Sequence, residues 1–117
     1  MELNYYLSLV DAGFFKKLNN ITIEIEKYAK KSKDNESFKA FTEAIIILII
    51  LSDDMKERDA SFIFILSQLN AASFQVSQAN FVLHGKKVYE FVSKINDLVG
   101  VLFQVYMNET TGVKTNG

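Results

Sequence analysis

Cysteine and proline are both missing from these 117 residues. Without cysteine there is no disulfide framework, no zinc–thiolate centre and no thiol nucleophile. Without proline nothing interrupts a long helix by withholding a backbone N–H, and a loop-rich all-β fold loses one of its commonest turn residues. With one histidine, His84, any site that needs two imidazoles is excluded. An excess of positive charge is missing too. There are 13 Lys and Arg against 14 Asp and Glu, a net charge of -1, so the electrostatic footprint of a nucleic-acid binder is absent and no nucleic-acid partner is expected. The most telling absence is local. Residues 60–85 contain no Asp, Glu, Lys or Arg, and residues 44–51 are apolar throughout.

Apolar residues make up 49% of the chain and charged residues 23%, values typical of a globular domain able to bury its own core. The uncharged runs therefore mark what is enclosed, by the chain itself or by a partner. A bilayer does not suit them. Residues 44–51 are too few to span one. Residues 60–85 carry Gln68, Asn70, Gln75, Gln78, Asn80 and four serines, each costly in hydrocarbon. No basic leader followed by an apolar core is visible near Met1. No membrane partner and a cytoplasmic location are expected.

Apolar spacings of three and four recur along the chain, the period of an amphipathic helix. In the first segment, residues 2–32, they fall at Leu3, Leu7, Val10, Phe14, Leu18, Ile21, Ile25 and Tyr28, with Gly13 and Asn19-Asn20 as points where a bend could fall. The second runs from a cap at Asp34 or Asn35 through Phe38, Phe41, Ile45 and Leu48 to about Leu51. Beyond Glu43 it is apolar on every side, so its last turns should be covered all round. Residues 52–59 hold the densest charge and read as a connector, with Asp59 as cap for a third helix from Ala60 to a break at Gly85. The fourth, with Val88, Val92, Ile95, Val99, Leu102 and Tyr106 on one face, has the cleanest pattern, and Glu90–Lys94 is a favourable i,i+4 pair. Four such segments joined by short connectors predict an all-α fold, a four-helix antiparallel bundle over residues 1–108 with a flexible tail at 109–117. The alternative is α+β, with a hairpin over residues 74–92 turning at His84-Gly85.

Chemistry is sparse. There is no phosphate-cradling glycine loop, nucleophile elbow or metal spacing, so no catalytic residue, metal or cofactor is expected. Asp53, Asp54, Glu57 and Asp59 read as a solvated connector, and Lys27, Lys30, Lys31 and Lys33 as cations favourably placed at a helix C-terminus. An enzyme would need a perturbed acid, with Glu43 or Asp97 facing inward. His84 followed three residues later by Lys87 resembles the phosphorylated segment of histidine phosphotransfer domains. That family places a glycine where this chain has Val88. The resemblance implies a four-helix bundle displaying His84 for phosphorylation, with Lys87 beside it.

The third segment carries the main functional expectation. Its apolar residues do not confine themselves to one face, and its remaining positions are Ser, Gln and Asn rather than charges. A helix side meeting bulk water usually shows charge, and neutral polar groups are those an interface can bury once hydrogen-bonded. The expectation is a non-enzymatic protein–protein interaction module of adaptor, chaperone, immunity or inhibitor type. It would pair as a two-fold homodimer, or with another protein, through Ser67, Asn70, Phe74, Gln78 and Phe81.

Overall fold

The computed structural model describes residues 2–111, which form five helices: α1 (Leu3–Asp11), α2 (Phe14–Ala29), α3 (Asn35–Lys56), α4 (Phe62–Val76) and α5 (Phe81–Thr111). No strand occurs among the described residues, so the hairpin over residues 74–92 is excluded. In its place the end of α4, a short turn and the start of α5 fill that stretch. The count is five helices rather than four. Gly13, at φ 79°, adopts the left-handed conformation that only glycine enters without steric cost, and it splits the first segment in two. The split shifts the helical phase. Leu9 is buried in α1, while Leu3, Leu7 and Val10, in register with the α2 stripe by sequence, point outward.

Helices α2 to α5 pack in a closed order, each on the next and α5 back on α2, while α1 lies against α5 and α2. Neighbours in this ring run antiparallel. Tyr28 at the end of α2 meets Phe41 near the start of α3 and Phe91 near the start of α5, and Phe62 at the start of α4 meets Phe103 and Tyr106 near the end of α5. The core is one apolar cluster built around Phe14, Phe41 and Phe91, extended by Leu48, Ile65 and Ile95. The molecule is elongated, 52 × 24 × 20 Å. The 31 residues of α5 run most of that length, since a helix rises ~1.5 Å per residue.

Several boundaries fall elsewhere than the sequence suggests. Asp34 does cap α3, its side chain accepting from the Ser37 N–H. However, α3 continues through Asp53 and Asp54 to Lys56, so the first half of the charged connector is a solvated helical turn. Ser61, not Asp59, caps α4, accepting from the Phe64 N–H. The third helix ends at Val76, and Gly85 lies inside α5 instead of breaking it. The N-terminal signal that settles this is Asn80, whose Oδ1 accepts from the Leu83 N–H as an N-cap side chain does. At the other end α5 runs to Thr111, past the expected boundary at 108, and residues 112–117 lie outside the described ones.

Candidate interaction surface

Helix α4 turns Ile65, Leu69, Ala72 and Val76 into the core. The opposite side then carries Ile63, Ser67, Asn70 and Phe74, at spacings of four, three and four, and all four are exposed. The line continues through Gln78 in the turn to Phe81 at the start of α5, both also exposed. The five residues singled out by sequence, Ser67, Asn70, Phe74, Gln78 and Phe81, thus all lie at the surface. They are joined by three that sequence reasoning missed, Ile63, Val82 and Leu83. Phe74 is 61% exposed, Phe81 72% and Val82 92%.

Phe81 lies on its own helix. A Cβ built at Gly85 would sit 3.2 Å from two atoms of the Phe81 ring. The glycine, one turn on, therefore lets the ring lie close against the backbone while its outer face stays open. On α3, which packs against α4, Ile46, Ile49 and Ile50 remain nearly half exposed. The chain itself therefore does not cover the all-round apolar part of α3, contrary to what its sequence predicts for a self-contained fold.

Behind the first turn of α5 lies a polar clasp. His84 Nε2 donates to Asp34 Oδ1 at 2.7 Å, and His84 Nδ1 lies 2.8 Å from the Tyr28 hydroxyl. An ionised carboxylate only accepts, so the Asp34 bond places a proton on Nε2. Side-chain hydrogen bonds from Ser37 and His84, with the Ser37 N–H, hold the Asp34 carboxyl down to about 2. Ser37 is fully buried, and its Oγ accepts the Asn80 N–H at 2.8 Å. Three chain segments, the end of α2, the cap of α3 and the start of α5, are thereby fastened together.

His84 is thus largely enclosed, its side chain 13% exposed, with both ring nitrogens in hydrogen bonds. Lys87 extends over the Tyr28 and Phe91 rings, 5.7 and 5.8 Å from their centroids, and reaches Glu90 at 3.5 Å. The two positions that resemble the phosphotransfer segment are both occupied within the fold. Glu43 and Asp97 are exposed. Glu24 on α2 pairs with Lys94 on α5 at 2.6 Å, which raises the Lys94 ammonium above its ordinary range, and the expected Glu90–Lys94 pair closes at 3.7 Å. Among the described residues no group of three or more His, Asp or Glu side chains is placed to hold a metal ion, and no helix is long and apolar enough to cross a membrane.

Comparison with protein-family models, curated proteins and solved structures finds no match to this chain.

Proposed function

We propose that the protein is an interaction module that acts by pairing with a second copy of itself through the outward side of α4 and the first turn of α5. The observation that carries this reading is the stripe Ile63, Ser67, Asn70 and Phe74, extended by Phe81, Val82 and Leu83. It lies in water on the outside of the fold without one charged residue between positions 60 and 85.

Phe74, Phe81, Val82 and Leu83 are 61–92% exposed and Ile63 65%, large apolar side chains of the kind that mark an interaction site where they cluster. Ile46 and Ile50 on the neighbouring helix α3 are also nearly half exposed. The choice of a second copy follows from charge. Residues near a two-fold axis meet their own counterparts, so a charged stripe would face like charge, whereas a neutral one pairs with itself without repulsion. Ser67, Asn70 and Gln78 supply donors and acceptors for hydrogen bonds across the seam. On this reading α2 to α5 form the four-helix antiparallel bundle, and α1 is an addition to it.

Sedimentation equilibrium from about 1 to 100 μM tests the proposal. The wild type should move from monomer toward dimer across that range. Phe74→Lys, which sets two cations near the seam, should stay monomeric with an unchanged helical circular-dichroism spectrum. A wild type that is monomeric throughout rejects pairing and leaves a different protein as the occupant. A histidine phosphotransfer role requires a free imidazole nitrogen, and acetyl phosphate should therefore leave His84 unlabelled.

A further inference from the structure

Two sides of α5 flank its buried face, and they differ in chemistry. Toward α2 the helix carries charge, with Lys94 paired to Glu24 and Lys87 over the Tyr28 ring. Toward α4, where Phe103 meets Phe62, its sequence repeats in sevens. Val82, Tyr89, Asn96 and Phe103 are seven residues apart, and Val92 and Val99 fall three residues after Tyr89 and Asn96. That is the a and d spacing of a coiled-coil seam, and none of these positions is charged. The fold's own core does not consume the seam. Val82 is 92% exposed, Tyr89 75% and Phe103 44%. Asn96 is exposed as well, and Val92 and Val99 are half-buried.

Midway along this side the surface is shaped to receive a side chain. Tyr89, Val92, Ser93 and Asn96 surround an open depression of about 230 Å³, with Asp97 also on its border. Their spacing, i, i+3, i+4 and i+7, is that of the four residues that make a hole for a knob of a facing helix. The depression opens to solvent, so its knob has to come from outside the fold.

The seam also fits its own reverse. Tyr89 and Val99 have their midpoint at residue 94. A second α5 laid antiparallel about a two-fold axis there sets Tyr89 against the partner's Val99, Val92 against the partner's Asn96 and Phe103 against the partner's Gly85. Each ring meets a smaller side chain, the arrangement that fills space between facing positions. A parallel second copy would instead set Tyr89 on Tyr89 and Phe103 on Phe103. Asn96 becomes the knob of the central hole, where the Ser93 hydroxyl and the other Asn96 amide offer it hydrogen bonds. A single polar residue at an a position is a device that fixes register.

We infer that α5 packs antiparallel along this seam on the α5 of a second copy, with Asn96 of each copy seated in the depression of the other. The inference rests on the pairing proposed above and gives it an axis. A two-fold crossing α4 and α5 at right angles sets the α4 stripe on its own counterpart too.

The test uses the absence of cysteine, which allows single nitroxide labels. They are attached to Asp97→Cys and, separately, to Gln104→Cys, both exposed positions, and read by dipolar EPR at a concentration where the protein is dimeric. Asp97 lies three residues from the axis and Gln104 ten. With a rise of ~1.5 Å per residue and helix axes about 8–10 Å apart, the Asp97 labels should lie within about 25 Å and the Gln104 labels about 30–40 Å apart. Gln104 labels as close as the Asp97 labels, or Asp97 labels beyond about 40 Å, would overturn the inference and leave the pairing itself standing. Tyr89→Lys should keep the helical spectrum and raise the dimer dissociation constant at least about tenfold. A Tyr89→Lys protein that dimerises like the wild type, while Phe74→Lys stays monomeric, also overturns the α5 seam and leaves the pairing to the α4 stripe. A wild type that never dimerises removes both.

Discussion

His84 and Asp34 meet through a 2.7 Å hydrogen bond that joins the first turn of α5 to the cap of α3. Together with the larger effect of the Ser37 side chain, the bond has a consequence in acid. The Asp34 carboxyl is held down to about 2 against an ordinary 3.8, so the folded state binds its proton less readily than the unfolded chain does. Its stabilising contribution is complete above pH ~4 and is lost as the pH falls through about 2. A carboxyl-carbon NMR titration should place the Asp34 midpoint near 2, and His84→Gln should move it upward. In Asp34→Asn the fall in stability between pH 4 and 2 should be shallower than in the wild type.

Ser37 is the hidden support of the same clasp. It is buried, and replacing it by alanine strands the Asn80 N–H that now donates to its Oγ. Ser37→Ala should destabilise the protein by about 1–3 kcal/mol in urea unfolding. The amide of Asn80 should exchange with solvent faster in the variant, which separates a lost hydrogen bond from a general loosening.

Gly85 distinguishes folding from assembly. Alanine in a helix interior is favoured over glycine by about 1 kcal/mol. The three atoms nearest the added Cβ all belong to the Phe81 ring, at 3.2–3.3 Å, and that exposed ring can swing away. Gly85→Ala should therefore raise thermal stability while displacing Phe81 and weakening dimer formation. Gly100→Ala, where a Cβ meets nothing within 4 Å, should raise stability by a similar amount and leave assembly unchanged.

Tyr5→Phe should be neutral or stabilising by up to about 1 kcal/mol, because it removes a buried hydroxyl that has no hydrogen-bond partner among the described residues. Its alkaline behaviour checks the cause. The wild-type phenol, raised from 10.0 to about 12, favours the folded state only while it is protonated. The wild type should therefore lose stability as the pH climbs from 10 toward 12, and Tyr5→Phe should lose less.

Helix type and the core were readable wherever the apolar period stayed in phase with the buried side. In α5, Val88, Ile95 and Leu102 from the predicted face are buried, with Phe91, Leu98 and Val105 beside them. In α1 the same period misled, because one left-handed residue at Gly13 rotated Leu3, Leu7 and Val10 away from the core, and spacing alone does not record such a rotation. The start of α5 was concealed for another reason. Gly85 is a common helix stop, whereas Asn80 was one of several neutral polar residues in an uncharged stretch, and its capping role depends on the Ser37 hydroxyl arriving from 43 residues away. The clasp of Tyr28, Asp34 and His84 has no sequence signature, since its members come from three helix ends. The surface stripe was partly visible. Missing charge marked α4 as unusual, but Val82 and Leu83 were assigned to the end of a helix that in fact stops at Val76.

The place of α1 sets an order on events during folding. It is nine residues long, shorter than a helix that persists alone in water, and buries one side chain fully, Leu9. The ring of α2 to α5 closes without it. Tyr5, with its edge-on contact to Tyr106, should therefore arrive last as the chain folds and depart first as it opens. A molecule that has lost only α1 would keep its α4 stripe, and with it the pairing proposed above, while baring the sides of α2 and α5 that α1 covers.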